Sequence, residues 1–214
     1  ETIKGKKVMI SGSGNVAQYA IEKTLAFGGI PITASDSNGF IYDAKGIDAG
    51  KLAYLMELKN VKRGRISEYA ETFGCKYFEN EKPWKIPCDV ALPCAVQNEL
   101  DKEDALQLVA NGCKLVAEGA NMPTTPEAIL ILQKNNVLYA PGKATNAGGV
   151  ATSGLEMSQN SIRMYWTREE VESRLRVIMQ KIHEQCIEYG KNKDGSIDYV
   201  KGANIAGFVR VADA

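Results

Sequence analysis

The 214-residue sequence predicts an α/β fold, in which a mostly parallel sheet is followed by a helical appendage. Short β-rich apolar runs alternate with amphipathic stretches from residue 7 to about residue 140. A glycine-rich turn joins the first predicted strand to the first predicted helix, and after Gly148-Gly149 the apolar periodicity is helical. We expect a single domain, with the sheet part over about 5–145 and the appendage over about 146–214.

The predicted strands are apolar runs bounded by turn residues. They are Lys7–Ser11, Pro31–Ser35, a short run Phe40–Tyr42, a strand near Tyr77, Val90–Leu92, Leu115–Ala117 and Val137–Tyr139. The helices predicted between them span Asn15–Phe27, 48–59, 66–73, 101–111 and 124–134. In the appendage, one helix is expected from Val150 to about Met164 and a second from a Thr167/Glu170 capping box to Gly190. A last helix is expected from about Gly202 and is still running at Ala214, so we expect the chain to be a piece of a longer protein.

Composition excludes several classes of function. The 26 basic and 26 acidic residues balance, so no bulk charge attracts nucleic acid or an anionic membrane. The five cysteines form no CxxC pair, which argues against a disulfide framework or a zinc site and indicates a reduced, cytoplasmic location. No apolar run approaches the ~20 residues that span a bilayer. We therefore expect neither a nucleic-acid nor a membrane partner.

The turn after the first strand has the pattern GxGxxA. Gly12 permits a tight turn, Gly14 lets the backbone approach a diphosphate, and Ala17 keeps the helix close to the sheet. The amides of the helix N-terminus then face the phosphates, so the predicted ligands are Gly12, Ser13, Gly14, Asn15 and Val16. The alternative is a tight turn without a ligand. Because strand, glycines, helix and second strand follow in order, the pattern favours a Rossmann-like, doubly wound fold.

Coenzyme preference depends on the end of the second predicted strand. Asp36 follows Gly14 at the spacing of about 20 residues where an acid accepts from ribose hydroxyls, which favours NAD. Ser37 can donate to a 2′-phosphate, and Lys59 begins a basic run whose alternative role is an ordinary solvated face. These residues leave NAD and NADP open.

Six blocks resemble the coenzyme-binding domain of the hexameric NADP-dependent glutamate dehydrogenases, members of the Glu/Leu/Phe/Val dehydrogenase family. They are GSGNVAQ at 12–18, PCAVQNEL at 93–100, EGANMPTT at 118–125, APGKATNAGGV at 140–150, SGLEMSQN at 153–160 and GANIAGF at 202–208. The resemblance implies that 2-oxoglutarate, ammonia and NADPH are converted reversibly into L-glutamate, NADP and water. It also implies a homohexameric parent protein.

The resemblance assigns the coenzyme contacts residue by residue. Ser37 and Lys59 match the 2′-phosphate ligands, which favours NADP(H), while NAD(H) stays open through Asp36. The positions beside the nicotinamide ribose are Ala95, Gln97 and Asn98, and Asn121 is the position beside the carboxamide. Their alternative role is to satisfy loop backbone. Val96 stands where the family has threonine, so a hydroxyl contact is absent.

The resemblance also assigns substrate contacts to this chain but no catalytic residue. Asn146 and Ser153 match positions that touch the substrate, and Val150 lines its pocket. Their alternatives are a cap on the Gly148-Gly149 turn, for Asn146, and an ordinary helix-interior serine. The catalytic lysine and its acidic partner belong to an N-terminal substrate domain that these residues do not include, and we expect His183 to be structural. The chain alone is expected to be monomeric and to bind coenzyme without significant turnover.

Two other interpretations are kept open. A branched-chain or aromatic amino-acid dehydrogenase would share the phosphate turn and the Asn-Ala-Gly-Gly segment. It would not be expected to carry Asn121-Met122-Pro123-Thr124-Thr125 or a Ser153 suited to a carboxylate. The second interpretation is a non-catalytic nucleotide-binding module.

Overall fold

A computed structural model describes residues 2–214 and divides the chain into two compact units, one that ends at Tyr139 and one that spans Ala140–Ala214. The strands are β1 (Lys7–Ile10), β2 (Ile30–Pro31), β3 (Thr33–Asp36), β4 (Gly39–Tyr42), β5 (Lys76–Glu79), β6 (Val90–Leu92), β7 (Leu115–Ala117) and β8 (Leu138–Ala140). The helices of the first unit are α1 (Asn15–Ala26), α2 (Ala49–Met56), α3 (Ile66–Phe73), α4 (Lys102–Ala110) and α5 (Pro126–Lys134). A π-helical segment, Glu57–Val61, continues α2, and a 3₁₀ turn covers Pro83–Lys85.

The central sheet has five strands in the order β2-β1-β6-β7-β8. Strand β1 runs parallel to both β2 and β6, and β6 runs parallel to β7. The chain adds β2 on one side of β1 and later returns to add β6 on the other side. The carboxyl ends of β1 and β6 therefore form a topological switch point, which is where open α/β sheets hold their ligands. The predicted α/β fold with a mostly parallel sheet is confirmed.

A second sheet is antiparallel and has the order β3-β4-β5. The prediction of one strand over Pro31–Ser35 is therefore wrong, because the chain passes from one sheet to the other at Ile32. The N–H of Ile32 still bonds to the carbonyl of Val8 in β1, whereas its own carbonyl accepts from Asp43, just after β4. The short run at Phe40–Tyr42 is a full hairpin strand, and the rings of Phe40 and Phe78 stack across the sheet at 4.7 Å.

Two side-chain hydroxyls, with one main-chain hydrogen bond, join β3 to β1 and to the turn that follows β1. Thr33 Oγ1 accepts from the N–H of Ile10 at 2.9 Å, and Ser35 Oγ accepts from the N–H of Gly12 at 2.7 Å. The N–H of Ser35 donates in return to the carbonyl of Gly12. These bonds are buried, so they hold the turn after β1 in a defined position beside the end of β3.

The core of the first unit lies between the central sheet and its helices. Val8 and Ile10 of β1 pack with Ile21 of α1, Leu55 of α2 and Tyr69 of α3, and all five are fully buried. Burying such side chains contributes about 1.5–3 kcal/mol each. Helix α3 has the predicted bounds. The single helix predicted over 48–59 instead changes from α to π geometry after Met56.

The second unit is helical, with α6 (Gly142–Thr145), α7 (Gly148–Ile162), α8 (Arg168–Gly190) and α9 (Tyr199–Ala212). The predicted capping box is present, because Thr167 Oγ1 accepts from the N–H of Glu170 and the Glu170 carboxylate accepts from the N–H of Thr167. Helix α8 ends at Gly190 as predicted, and α9 begins before the predicted Gly202. At Gly202 an added Cβ would collide with the backbone carbonyl of Cys186, so glycine permits the close packing of α9 on α8. None of the helices within residues 2–214 has the length and apolar character of a membrane span.

Candidate functional site

The turn between β1 and α1 presents an uncapped helix N-terminus. Gly14 occupies the N-cap without a side-chain hydrogen bond, and the first turn of α1 carries no acidic residue. Gly12 has a φ of +83°, and a Cβ there would approach the carbonyl oxygen of Cys94 to 3.0 Å. A Cβ at Gly14 would meet nothing within 4 Å. The first-turn amides carry the positive end of the helix dipole and therefore form a ready site for an anion.

This turn opens onto a cleft of about 620 Å³ at the switch point of the central sheet. Most of the sequence-predicted coenzyme residues line the cleft together: Gly12, Ser13, Gly14, Asn15, Val16, Asp36, Ser37, Ala95, Gln97 and Asn98. Lys59 is not among the lining residues but lies against Asp36, and Asn121 lies in a neighbouring loop. Val96, which stands where a threonine was expected, also lines the cleft, and its side chain is exposed.

The carboxylate of Asp36 is bound within the protein. Its Oδ1 accepts from the N–H of Asn38 at 2.9 Å, and its Oδ2 accepts from the N–H of Ile66 at 2.9 Å and lies 3.3 Å from Lys59 Nζ. The Asp36 side chain is only 8% exposed. Burial by itself would raise the pKa of Asp36, but these hydrogen bonds and the lysine charge outweigh it and lower the pKa. The negative charge at the end of β3 is therefore compensated before any ligand arrives.

Near Asp36 lie two exposed polar side chains, Ser37 and Arg65, and one partly buried cation, Lys59. Arg65 Nη1 donates to Ser37 Oγ at 3.0 Å, and both residues are exposed. Lys59 Nζ donates to the carbonyl of Gly64 at 2.8 Å as well as contacting Asp36. A hydroxyl and a guanidinium side by side suit the oxygens of a phosphate group. In the sequence, Arg65 is only one of several basic residues that follow Lys59, and its contact with Ser37 depends on the turn that precedes α3.

A partly buried carboxylate, that of Glu99, holds the loop after β6 on the end of β1. Glu99 Oε1 accepts from Ser11 Oγ and from the N–H of Ala95, each at 2.9 Å, while Ser11 Oγ accepts from the N–H of Cys94 at 2.8 Å. Burial raises the pKa of Glu99, and the hydrogen bonds from Ala95 and Ser11 offset only part of that increase. Glu99 lies within one of the six blocks, but no spacing in the sequence showed that it reaches Ser11.

The loop that carries Asn121 lies against the loop that carries Asn98. The N–H of Asn98 donates to the carbonyl of Met122 at 3.0 Å, and both residues have positive φ, 54° and 50° respectively. Non-glycine residues rarely adopt this conformation, and it concentrates at functional sites. Glu118, at the start of the Asn121 loop, is buried and accepts from the hydroxyl of Tyr139. The two loops are thus held together at the carboxyl ends of β6 and β7.

The predicted substrate residues all lie in the second unit. Asn146 is the C-cap of α6, and its carbonyl accepts from the N–H of Gly149 at 3.3 Å. Val150 is 74% exposed on α7. Ser153 is exposed, and its Oγ donates to the carbonyl of Gly149 at 3.3 Å, a contact typical of a serine within a helix.

Groups for acid–base or metal chemistry are sparse in the described part of the chain. Within residues 2–214, no three His, Cys, Asp or Glu side chains are grouped so as to hold a metal ion. The single histidine, His183, has its Nδ1 2.7 Å from the hydroxyl of Tyr199, a contact between α8 and α9. It joins two helices of the second unit.

The cleft of the first unit presents two groups of hydrogen-bond donors that suit anions. One is the uncapped N-terminus of α1, with open space at Gly14, and the other is the hydroxyl of Ser37 beside the guanidinium of Arg65. The ionised carboxylate of Asp36 is paired with Lys59, which weakens the repulsion that an unpaired acid at this position would exert on a phosphate.

Comparisons with known proteins agree with this geometry. The family described as Glutamate/Leucine/Phenylalanine/Valine dehydrogenase matches residues 1–214. The chain is 62% identical to an NAD(P)-specific glutamate dehydrogenase of Xylanibacter ruminicola, over 100% of this chain and 48% of that protein. It is 58% identical to an NADP-specific glutamate dehydrogenase of Escherichia coli strain K12, over 99% of this chain and 47% of that protein.

A solved structure, glutamate dehydrogenase 2 of Plasmodium falciparum, superposes with a TM-score of 0.95 at 51% identity. The match covers 99% of this chain and 46% of that one. The chain thus spans about half the length of the curated relatives that it matches. Because the family match covers every residue, the chain belongs to the Glutamate/Leucine/Phenylalanine/Valine dehydrogenase family.

Proposed function

We propose that this chain is the coenzyme-binding domain of an NADP-preferring glutamate dehydrogenase. One observation carries the coenzyme preference: the Asp36 carboxylate is held by Ile66, Asn38 and Lys59, while the Ser37 hydroxyl and the Arg65 guanidinium are exposed beside it. An acid that binds both ribose hydroxyls needs two acceptor positions that face the ligand. Here Asn38, Ile66 and Lys59 already occupy three of the roughly four acceptor positions of the carboxylate, which favours a 2′-phosphate on the neighbouring cationic groups.

Each part of the cleft has a binding role in this proposal. The amides of Gly14, Asn15 and Val16 bind the diphosphate at the N-terminus of α1. Ser37, Lys59 and Arg65 bind the 2′-phosphate. A bound nicotinamide dinucleotide supplies the hydride-transfer chemistry.

The nicotinamide end of the cleft is assigned to the two loops that follow β6 and β7. Ala95, Gln97 and Asn98 contact the nicotinamide ribose, and Asn121 contacts the carboxamide. The bond between Asn98 and Met122 supports this assignment, because it keeps the two loops adjacent. The valine at position 96 contributes no hydroxyl.

The whole protein is proposed to interconvert L-glutamate with 2-oxoglutarate and ammonia. The names of the relatives and the half-length match support this proposal. Asn146, Val150 and Ser153 contact the substrate, and the acid–base residues come from a separate substrate domain. Hydride transfer and imine chemistry need both reactants and the proton donor in one near-attack geometry. We therefore propose that this chain is monomeric, binds coenzyme and turns over negligibly by itself, whereas the parent is a cytoplasmic homohexamer.

Separate titrations of NADPH and NADH into the chain, followed by calorimetry, test the coenzyme assignment. Tighter binding of NADPH is expected, by at least tenfold, the ratio that about 1.4 kcal/mol produces. Equal affinities would contradict the 2′-phosphate site. Tighter binding of NADH would indicate that Asp36 binds the hydroxyls of the adenosine ribose.

Adding a separately produced substrate domain tests the activity. Glutamate-dependent reduction of NADP should appear only in the mixture. Activity on leucine but not on glutamate would instead assign the chain to a branched-chain amino-acid dehydrogenase. Binding of coenzyme without recovered activity toward either amino acid would favour a non-catalytic module.

A further inference from the structure

Gln18 of α1 and Asn60 of the π-helical segment form a reciprocal amide pair. Gln18 Nε2 donates to Asn60 Oδ1, and Asn60 Nδ2 donates to Gln18 Oε1, each at 3.0 Å. Gln18 Nε2 also donates to the carbonyl of Ser13 at 2.8 Å. Gln18 is only 1% exposed, so its two amide hydrogens and its carbonyl oxygen all have partners inside the protein. The orientation of this amide is thereby defined.

One end of this pair supports the phosphate turn. Ser13 lies between the two glycines of the turn, and its carbonyl points back to Gln18 rather than toward the cleft. Because the carbonyl is held in that direction, the N–H of Gly14, which is trans to it, points the opposite way within the same peptide plane. Gln18 therefore helps to orient the N–H groups that face an anion.

The other end of the pair supports the cation beside Asp36. Asn60 directly follows Lys59, and both lie in the π-helical segment, where the N–H of Lys62 bonds to the carbonyl of Glu57 five residues earlier. Such wide turns are rare and frequently occur at functional sites. Asn60 ties this segment to α1, and Lys59 Nζ then reaches Asp36 at 3.3 Å and the carbonyl of Gly64 at 2.8 Å.

We propose that Gln18 and Asn60 are positioning residues that hold the diphosphate turn and the 2′-phosphate cation at a fixed separation. A continuous path of hydrogen bonds runs from Ser13 through Gln18 and Asn60 to the segment that presents Lys59. A dinucleotide with a 2′-phosphate must satisfy both anion sites at once, so its affinity depends on their separation. A dinucleotide without that phosphate uses only the first site. This inference rests on the proposed binding of NADPH.

Substitutions of Asn60 and of Gln18 are expected to affect coenzyme binding differently. Asn60→Ala frees the π-helical segment but leaves the bond between Gln18 and Ser13 in place. Because both bonds of the reciprocal pair are lost, it should weaken NADPH roughly three- to tenfold and leave NADH unchanged. Gln18→Met removes the bond to Ser13 as well, so it should weaken both coenzymes and also lower the preference for NADPH.

The experiment measures the dissociation constants of NADPH and NADH, and of adenosine 2′,5′-bisphosphate and 5′-AMP, by calorimetry. The variants are Asn60→Ala, Gln18→Met, Lys59→Ala and the double variant Lys59→Ala/Asn60→Ala. Asn135→Ala is the matched control, because this asparagine is also exposed and its amide bonds only to the carbonyl of Ile131 in its own helix. The control should change neither affinity. Thermal unfolding of each variant confirms that it is folded at the titration temperature.

The double variant separates a positioning role from a general structural role. If Asn60 acts through Lys59, Asn60→Ala should have no further effect on the NADPH preference once Lys59 is alanine. Equal weakening of both coenzymes by Asn60→Ala, or an additive loss in the double variant, would overturn the inference. If Asn60→Ala does not fold, Gln18→Met provides the test instead. An unchanged preference for NADPH in Gln18→Met would then overturn the inference.

The outcome for the unsubstituted chain distinguishes this inference from the proposed function. If that chain binds both coenzymes equally, the 2′-phosphate assignment and the positioning role both fail. If it prefers NADPH and Asn60→Ala keeps the same preference, only the positioning role fails.

Discussion

The backbone N–H of Ile66 donates to Oδ2 of Asp36 at 2.9 Å, across 30 residues of sequence. Ile66 is the first residue of α3, so the carboxylate at the end of β3 lies at the positive end of that helix. Asp36 thereby joins the antiparallel sheet to α3, and the same contact occupies one of its carboxylate oxygens at the edge of the cleft. A residue that the sequence presents as a coenzyme ligand is in the structure a capping residue as well.

Asp36→Asn should lower the free energy of unfolding by about 1–2 kcal/mol near pH 7, because one charge-assisted acceptor is weakened. The pKa of Asp36 is lowered in the folded chain, since its hydrogen bonds and Lys59 outweigh burial. Its contribution is therefore present above the unfolded pKa of about 3.9 and is lost as the pH falls through the folded value. Urea unfolding of both proteins from pH 7 to pH 3 should show the difference shrinking toward low pH. A difference independent of pH would show that the carboxylate charge is not responsible.

Arg65→Ala should weaken NADPH by about 10- to 100-fold and NADH by less than about twofold, because a charged hydrogen bond contributes roughly 1.5–3 kcal/mol. Lys62→Ala is the matched control. It removes the same charge from the same basic run, but Lys62 Nζ pairs with Glu57 at 3.1 Å and is exposed. Calorimetric titration of both variants gives the comparison. If both substitutions weaken NADPH equally, Arg65 acts only through general electrostatic attraction and does not contact the 2′-phosphate.

The two glycines of the phosphate turn should respond differently to alanine. Gly12→Ala places a Cβ at a φ of +83° and 3.0 Å from the carbonyl oxygen of Cys94, so it should destabilise the fold by about 1–3 kcal/mol. Gly14→Ala should leave stability within about 0.5 kcal/mol, since its φ is −81° and its Cβ meets nothing within 4 Å. It should nevertheless weaken both coenzymes by obstructing the diphosphate. Thermal unfolding and coenzyme titration of each variant check this. Normal coenzyme affinity in Gly14→Ala would show that the diphosphate does not bind at this turn.

Glu99→Ala should destabilise the chain by about 1–3 kcal/mol, because the N–H of Ala95 and the hydroxyl of Ser11 lose their acceptor. Glu99→Gln keeps an acceptor oxygen and should cost less than Glu99→Ala. Burial raises the pKa of Glu99, so its stabilising contribution is complete below the unfolded pKa of about 4.3 and is lost as the pH rises through the folded value. The stability of Glu99→Gln relative to the unsubstituted chain should therefore improve as the pH rises from 4 to 7. A constant difference over that range would contradict the assignment.

Local sequence patterns predicted most of the fold. Gly12 and Gly14 between an apolar run and a helix identify the β1–α1 turn, and the Thr167/Glu170 pair identifies the start of α8. Both features depend only on residues a few positions apart. The switch of Ile32 from the central sheet to the antiparallel one could not be predicted in this way. A β-rich run shows which residues are extended, but it does not show which strand each residue pairs with.

The same limit applies to the candidate site. The sequence placed Asp36 beside the ribose by its distance from Gly14, but the direction of its carboxylate is decided by Ile66. Glu99 was present in a block that the family resemblance identified, yet its role depends on Ser11 in another strand. Contacts that depend on a local backbone turn, such as the turn between β1 and α1, could be predicted from the sequence. Side-chain contacts that join elements far apart in the chain could not.

The π-helical segment makes the chain length between α2 and α3 part of the proposed coenzyme site. A π turn closes its hydrogen bond over five residues instead of four, so it contains one residue more than the α-helix it replaces. Deleting a single residue from Glu57–Val61 would let α2 continue and would rotate every later residue by about 100° around the helix axis. If the deleted residue precedes them, Lys59 and Asn60 would then point to different neighbours without any change in their identity. A relative with one residue fewer here would therefore have to bind the adenosine end of its coenzyme with other side chains, even if its basic residues could be aligned with these.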